Sequence, residues 1–449
     1  MMLSLLSFIL ALAILITIHE FGHFWVARRC GVKVLKFSIG FGKPLWQKTA
    51  KDGTHYVLAM IPLGGYVKML DEREGPVPEE QLSLTFNRKP LRARVAIAAA
   101  GPIANLLFAI FAYWLVFVSG IAGIKAIIDE VAIDSPAEIA QLLVGDQIQK
   151  VNGDKTPTLA SVSNALSQIA DKGGVAILTV ETGGEQQQRK LEVPQQSLLI
   201  SNPRNILQQL GLTPLLYELK PVVGVIVPNK PAQAAGLQAG DLIISTDNQA
   251  ITHWAEWVDV IRANPNQLLS VEIERQGQRQ TFQLKPSETE DNFGVIGAGV
   301  DGSATIVPTD LKAELRYGPL SGLIKAVETT WKMSSLTIKS IVGMLAGEVS
   351  SKNLGGPISI AQFAGASADR GLLAFISFLA IISISLGILN LLPIPILDGG
   401  HLMMYFFEWV RGKPLSEHLQ LEVQKIGLIL LLTLMFFAFF NDLSRLFGL

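Results

Sequence analysis

Two histidines and a glutamate near the N-terminus have the spacing of a metal-dependent hydrolase. The residues read His19-Glu20-Phe21-Gly22-His23, so the histidines are four positions apart and would share one face of a helix. Two neutral imidazoles on one face can bind a single zinc ion, and the neighbouring glutamate could act as general base toward a water molecule. The pattern predicts a zinc site with His19 and His23 as metal ligands and Glu20 as the catalytic residue.

This motif lies in an apolar segment, residues 1–27, and Glu20 is the only acidic residue between Met1 and Trp25. An ionisable residue inside a membrane helix costs roughly 2.5 to 3.5 kcal/mol on insertion scales, so three together imply partners or a metal. A chance match to a short pattern is the alternative, and the apolar setting disfavours it. The segment lacks a basic start and a small-residue cleavage site, which predicts a retained membrane helix rather than a signal peptide.

Composition extends the membrane interpretation to the whole chain. Of its 449 residues, 49% are hydrophobic and only 17% are charged, a balance that is unusual for a soluble protein. Three further segments are long and apolar enough to cross a bilayer. The four predicted transmembrane segments are residues 1–27, 95–124, 371–400 and 425–447.

Positive charges set the predicted orientation. Lysine and arginine gather in the loop 28–94, directly after the first segment and directly before the second, which indicates a cytoplasmic loop. Residues 125–370 and both termini would then lie outside. His19 precedes the first cation, Arg28, by nine residues, so the zinc would lie about 13 Å inside the cytoplasmic boundary.

The third apolar segment ends in a broken stretch, Asn390-Leu391-Leu392-Pro393-Ile394-Pro395-Ile396-Leu397-Asp398-Gly399-Gly400. Two prolines so close must interrupt a helix, and interrupted backbone at membrane depth is tolerated only where protein or a water-filled cavity covers it. Because a catalytic zinc has three protein ligands and one open position, Asp398 is predicted as the third ligand. The alternative is that Asp398 caps a helix end at the boundary.

The predicted outer region contains an internal repeat with a constant offset of 95 residues. The matching positions are Pro136, Ala137, Ala140, Leu142, Gly145, Asp146 and Ile148 in the first copy and Pro231, Ala232, Ala235, Leu237, Gly240, Asp241 and Ile243 in the second. The text from Pro231 to Ile243 resembles the PDZ domains of bacterial proteases, which predicts two tandem α+β domains, residues 125–220 and 221–309. They could bind peptides by adding a strand to a sheet edge, or act as a steric plug or spacer.

Two other regions have recognisable patterns. In the loop 28–94, the stretch from Val34 to Leu70 alternates β-branched or aromatic residues with glycine breaks, which predicts a small β-structure. Between residues 310 and 368, apolar residues recur at helical spacing and lysines interrupt them, which predicts amphipathic helices on the membrane surface. Those helices could link domain movement to substrate entry or serve as a plain anchor.

Taken together, the chain resembles the site-2 protease family of intramembrane zinc metalloproteases. The resemblance rests on His-Glu-x-x-His, on Gly101-Pro102-Ile103-Ala104-Asn105 and on the stretch from Asn390 to Gly400. It implies an α-helical polytopic protein of the bacterial inner membrane, with four transmembrane helices, a membrane-associated β-element and the two PDZ domains. Small and polar residues such as Gly101 and Asn105 also commonly pack membrane helices together.

The resemblance further implies a substrate and its contacts. Single-span membrane proteins would be cleaved within their membrane segments: an anti-sigma factor already trimmed on its outer side, activating the sigma-E extracytoplasmic stress response, and signal-peptide remnants. The β-element would be re-entrant and pair with the extended substrate, although the residues alone fit an ordinary cytoplasmic hairpin equally well. The expected substrate-binding residues are Asn390, Pro393, Pro395, Gly40, Gly42, Gly64 and Gly65.

Two other functional classes are compatible with parts of the pattern. A membrane metal transporter would also place histidines and an acid in its spans, but it needs neither an adjacent glutamate nor PDZ domains. A non-catalytic PDZ scaffold would not depend on Glu20. A net charge of −1 gives no indication of a nucleic-acid partner, and the single cysteine, Cys30, excludes a disulfide framework.

Overall fold

The computed structural model describes residues 2–195, 206–289, 292–305, 307–348, 355–413 and 415–447. The chain divides into two compact units. The first is Met1–Ile121 with Arg316–Leu443, and the second is Ala122–Leu315 with the terminal residues Ser444–Leu449.

The described residues form twelve α-helices, which are long in the first unit and short in the second. In chain order they are α1 (Met2–Arg29), α2 (Leu91–Ser119), α3 (Pro136–Ile139), α4 (Leu159–Ala170), α5 (Ile206–Gln209), α6 (Pro231–Ala234), α7 (Trp254–Ala263), α8 (Pro319–Leu345), α9 (Pro357–Asp369), α10 (Leu372–Leu391), α11 (Asp398–Arg411) and α12 (Glu417–Phe447). Two short 3-10 turns, Glu72–Glu74 and Glu79–Leu84, precede α2.

The same residues form eighteen strands, of which the first two are the longest. They are β1 (Val34–Thr49), β2 (His55–Met69), β3 (Ile121–Ile124), β4 (Ile128–Val131), β5 (Gln147–Val151), β6 (Asp154–Lys155), β7 (Gly174–Thr182), β8 (Glu185–Val193), β9 (Leu212–Pro214), β10 (Val223–Ile226), β11 (Leu242–Thr246), β12 (Gln249–Ala250), β13 (Leu269–Arg275), β14 (Gln278–Leu284), β15 (Ser287–Glu288), β16 (Gly294–Val295), β17 (Ala298–Val300) and β18 (Lys312–Leu315).

Four helices in the described part of the chain are long and apolar enough to cross a membrane: α1, α2, α10 and the stretch His418–Ser444 of α12. The predicted polytopic fold class is confirmed, with different helix ends. α2 stops at Ser119 and not at residue 124, because Gly120 adopts a φ of 98° and the next residues form β3. α12 starts eight residues before residue 425, since the preceding Leu, Gln and Glu residues favour helix without being apolar.

Within the third predicted span, residues 371–400, one helix is followed by a break at the position that the two prolines predict. α10 ends at Leu391, residues 392–397 are irregular, and α11 starts at Asp398. The two prolines explain the break, because neither can donate a backbone hydrogen bond to a continuing helix. α11 itself was not expected, and it places Asp398 in its first turn.

The predicted β-structure between Val34 and Leu70 forms from β1 and β2, which pair antiparallel. The first part of β1 pairs with β2 along both of its edges, because Lys36 pairs with His55 and also with Lys68. Residues 34–39 therefore lie between residues 55–58 and residues 65–69, and the latter form an edge of this sheet within the described chain. A β-carbon on Gly65 would lie 2.8 Å from Ile16 of α1, so this edge lies beside the membrane helix that carries the histidines.

α8 and α9 take the place of the amphipathic helices expected over residues 310–368, of which 349–354 lie outside the described residues. α8 buries Ala326 against α2 and α10 and exposes Leu320 and Trp331, each at 73%. One face of α8 is therefore buried and the other exposed, and the amphipathic helices at the membrane surface stay a prediction. α9 packs on α1 and α10 through Ala364, which is fully buried.

In the second unit the sequence repeat is also a structural repeat. The two halves contain sheets of the same strand order, β6-β5-β7-β8 and β12-β11-β13-β14. The equivalent aspartates Asp146 and Asp241 are both fully buried, and each accepts a backbone N–H from three residues earlier, at 3.0 and 2.7 Å. Residues 196–205, 290–291 and 306 of the two predicted domains lie outside the described residues.

Candidate metal centre

α1 and the start of α11 bring three metal-binding side chains together. Nε2 of His19 lies 3.2 Å from Oδ2 of Asp398, and Nε2 of His23 lies 3.4 Å from the same oxygen. The two Nε2 atoms are 3.3 Å apart. The histidine side chains are only 12% exposed and the aspartate side chain 19%, so the three atoms form a nearly equilateral, largely buried triangle.

This triangle fits a zinc ion. In a tetrahedral site with bonds of about 2.0 to 2.1 Å, ligand atoms lie about 3.3 Å from one another, which is the spacing found here. Without a cation the arrangement is unfavourable, because two imidazole lone pairs and a carboxylate oxygen would face each other. Oδ2 of Asp398 is buried and has no well-oriented hydrogen-bond donor among the described residues. Two histidines and one carboxylate also leave a fourth position open, as catalytic zinc sites require.

Hydrogen bonds behind the histidines determine which ring nitrogen faces the triangle. Nδ1 of His23 lies 2.8 Å from the carbonyl oxygen of Ile97 and donates its proton there, which leaves Nε2 with a free lone pair. Nδ1 of His19 lies 3.1 Å from the side-chain amide of Asn105. Asn105 is fully buried, and its Oδ1 has no hydrogen-bond partner among the described residues. With Oδ1 turned toward the ring, Asn105 accepts the Nδ1 proton and makes the Nε2 of His19 a ligand as well.

α2 approaches the histidines so closely that only a glycine fits. A β-carbon on Gly101 would lie 2.3 Å from Nε2 of His23 and 2.8 Å from Cε1 of His19. On α1, directly before His23, a β-carbon on Gly22 would lie 2.4 Å from the carbonyl oxygen of Ala100. Helix packing is therefore part of the role of Gly101, as its position in an apolar helix suggested, but its lack of a side chain also leaves room for the ligand atoms.

The sheet edge at Gly65 closes the other side of α1. A β-carbon on Gly65 would lie 3.0 Å from Cγ of Glu20, so the backbone of β2 passes directly beside the proposed general base. Tyr66, Val67 and Met69 continue this edge along the wall of a cavity of about 740 Å³. An extended peptide could lie in that cavity alongside the strand.

The cavity runs from the metal-binding triangle to a polar end formed by ion pairs. Arg94 of α2 donates to both carboxylate oxygens of Glu408 of α11, at 3.0 and 2.5 Å, and both side chains are only 15% exposed. Asp71 and Arg73 lie at the same end. Burial raises the pKa of Asp71, but the hydrogen bonds from Arg73 outweigh that effect and hold the pKa below its usual range. These charged, paired groups line the same cavity as the buried triangle.

The structure brings together part of the predicted site. The cavity is lined by His19, Glu20, His23, Gly65, Asn390 and Asp398. Four other predicted residues have different surroundings: Gly40 packs on the backbone of Ile61, Gly42 is exposed, Gly64 lies against the Phe41 ring, and Pro393 is exposed. Pro395 contacts α11 and α12. Their roles in substrate binding stay predictions.

Some residues of this site were not identified as functional from the sequence. Asn105 belongs to a motif of the family resemblance and to a helix-packing pattern, and neither predicts its contact with His19, although a fully buried amide in an apolar helix signals an internal hydrogen-bond partner. His401 also lines the cavity, one turn after Asp398, and its spacing on α11 was the available signal. The ion pair between Arg94 and Glu408 joins residues 314 positions apart, and no local pattern predicts it.

Comparison with known proteins gives one consistent result. The sequence matches the family model described as Peptidase family M50 over residues 7–434. It is 45% identical to Regulator of sigma-E protease RseP of Escherichia coli (strain K12) over 447 residues, 99% of both chains. It is 44% identical to Protease RseP of Yersinia pestis and 42% identical to a putative zinc metalloprotease of Vibrio cholerae, again over 99% of each chain. A PDZ domain of an SdrC-like protein from Listeria monocytogenes matches at 21% identity over 20% of this chain and 93% of that one, and its TM-score of 0.17 is too low to carry an argument.

We expect Gly101→Ala to lose most of its bound zinc, because the added methyl would occupy space needed by the Nε2 atom of His23. The measurement is zinc content per chain after purification in detergent. Gly387→Ala is the matched control, since its methyl would tighten the contact of α10 with the Pro102 carbonyl, at 3.1 Å, without reaching a histidine. Equal loss of zinc in both variants would show that helix packing alone is responsible.

We expect Asn105→Leu to weaken zinc binding roughly 10- to 100-fold, the usual effect of removing a group that orients a metal-binding histidine. Asn105→Asp should keep tight binding, because a carboxylate accepts the same Nδ1 proton. Competition with a chromophoric chelator measures both. Ser383→Ala is the control, because Ser383 Oγ donates to the backbone oxygen of Asn105 at 2.8 Å and not to the ring. Unchanged affinity in Asn105→Leu would contradict the assigned tautomer.

Proposed function

Because the chain belongs to peptidase family M50 and is a site-2 type zinc metalloprotease, we propose that it cleaves the membrane segments of single-span proteins. The observation that carries this proposal is the position of the triangle of His19, His23 and Asp398. It lies between apolar helices, yet it opens into a cavity with a polar end. Such a site can hydrolyse peptide bonds at membrane depth because it combines ligands for zinc, a carboxylate base and access for water.

In this proposal the residues of the chain have separate roles. Bound zinc supplies the Lewis acid that polarises the scissile carbonyl. Glu20, which lines the cavity one residue after His19, takes a proton from the attacking water and returns it to the amine that leaves. Asn390 lines the same cavity at the last turn of α10, where its amide can hold the substrate backbone.

A helical substrate must unwind before it reaches these groups. Every backbone amide in a membrane helix is already hydrogen-bonded within the helix, so the scissile carbonyl becomes available only in an extended segment. The edge formed by residues 65–69 can replace those lost hydrogen bonds by pairing with the extended substrate. We therefore expect substrates with helix-weakening residues to be cleaved fastest.

The proposed location is the bacterial inner membrane, with the site nearer the cytoplasm. The polar end of the cavity includes Arg94, in the first turn of α2, and the cations Arg28 and Arg29 end α1. Cations concentrate on the cytoplasmic side of membrane proteins, which supports the proposed orientation of this end toward the cytoplasm. By the same rule, the second unit lies in the periplasm.

The relatives suggest the natural substrate. The Escherichia coli protein is named a regulator of sigma-E protease, and its alignment covers 99% of both chains. We propose that this chain acts on an anti-sigma factor that has already lost its outer domain, and also on signal-peptide remnants. The two repeats of the second unit would be PDZ domains that exclude substrates with intact outer domains or bind the peptide ends of trimmed ones.

We expect Glu20→Gln to keep zinc bound and to lower cleavage at least about 100-fold, the usual contribution of a general base. The assay is cleavage of a purified single-span substrate in detergent, with zinc content measured on the same preparation. Glu328→Gln is the matched control, because that carboxylate is 42% exposed on α8 and pairs with Lys325 and Lys332 of the same helix. Full activity of Glu20→Gln would exclude Glu20 as the base.

We expect deletion of residues 125–309 to allow cleavage of single-span substrates that keep their outer domains, because the proposed filter would be absent. Wild type should cleave only the trimmed forms. Unchanged zinc content and continued cleavage of a trimmed substrate show that the remaining chain is folded. A folded deletion variant that still rejects untrimmed substrates would contradict size exclusion.

A further inference from the structure

The irregular segment before Asp398 contains an unfavourable backbone conformation. Ten non-glycine residues in the described chain have a positive φ, and nine of them are Asn, Asp or Gln, which tolerate it. The tenth is Ile396, with a φ of 91°. A β-branched residue in this region is strained, and such conformations persist only where surrounding structure enforces them.

On one side, contacts with α11 restrain this segment. β-carbons on Gly399 and Gly400 would lie 2.1 Å from the Leu392 oxygen and 2.5 Å from the Ile394 oxygen. The backbone of residues 391–395 therefore lies directly on the first turn of the helix that carries Asp398. These contacts belong to the same local turn, however, and a turn can move with its helix.

On the other side, contacts with α12, a separate helix later in the chain, restrain the segment. A β-carbon on Gly427 would lie 2.1 Å from the Pro395 oxygen and 2.6 Å from its Cβ. Gly427 is buried, whereas its neighbours Ile426 and Leu428 are 65% and 46% exposed. The backbone of α12 thus presses on the residue directly before the strained Ile396.

A second contact fixes α12 near its other end. Asp442 is 3% exposed and accepts backbone N–H groups from Gly356, Ile358 and Ser359 at 2.8 to 3.2 Å, as well as the Ser359 hydroxyl. It thereby caps the start of α9. Gly427 and Asp442 lie about 22 Å apart along α12, and their directions about the helix axis differ by about 60°, so both lie on the same side of the helix.

We propose that α12 is a clamp on the ligand-bearing segment: anchored by Asp442, it seats Pro395 against Gly427 and so keeps Ile396 in the conformation that aims Asp398 at the two histidines. This proposal rests on the metal site of the proposed function. Gly427 and Ile396 are positioning residues: Gly427 does not line the cavity, and Ile396 lines it with an aliphatic side chain that can neither bind a metal nor transfer a proton. The contribution of Asp398 to zinc affinity then depends on the position of α12.

The test compares zinc affinity in full-length chains that all carry Glu20→Gln, by competition with a chromophoric chelator in detergent. Gly427→Ala should bind zinc about 10-fold to 100-fold more weakly, the range found when support for a metal ligand is removed. Adding Ile396→Gly should restore affinity, because glycine adopts a positive φ without strain and no longer needs the clamp. Thr433→Leu, which adds bulk to an exposed position of α12, should change nothing.

Two results would overturn the clamp: unchanged affinity in Gly427→Ala, or a loss that Ile396→Gly does not restore. If Gly427→Ala does not fold, Asp442→Asn loosens the other end and is expected to show the same loss and the same rescue. Zinc binding is read here independently of proteolysis. A wild-type chain that binds zinc and never cleaves would overturn the proposed function, whereas a chain without any zinc affinity would overturn the metal site itself.

Discussion

The structure depends on holding three metal-binding groups in a triangle of 3.2 to 3.4 Å at membrane depth. Three such groups repel one another unless a cation lies among them, and inside a membrane the surrounding lipid offers no compensation. The protein therefore fixes each group from behind. His23 is held by a backbone carbonyl, His19 by the amide of Asn105, and Asp398 by the broken segment between α10 and α11.

Close approach between backbone segments fixes these groups in place. Gly101 packs on the two histidines, Gly65 on α1, and Gly427 on Pro395, and a β-carbon at any of them would overlap atoms less than 3 Å away. Side chains are flexible, whereas packed backbone has little freedom, so glycine contacts hold the ligands and the base more rigidly than longer residues could. A site built on helices and a sheet edge in this way has little freedom to change its geometry.

The same walls explain how an apolar protein can hydrolyse a peptide bond. The cavity starts at the triangle, passes Glu20 and the sheet edge at residues 65–69, and ends among paired charges such as Arg94 and Glu408. Because those charges are paired with each other, they attract water without placing an unpaired charge in the membrane.

The sequence by itself determined the features that depend on local pattern. These features are the i, i+4 histidines with Glu20, the four apolar helices and the 95-residue repeat. The break before Asp398 is also local, because two closely spaced prolines are enough to interrupt a helix. Only the tertiary structure decided which distant residues meet. Asn105 behind His19, Gly101 against His23 and Gly427 on Pro395 join positions 32 to 86 residues apart. These contacts depend on how helices pack rather than on any local preference. The residue types indicated zinc, and helix packing determined which groups support its predicted ligands.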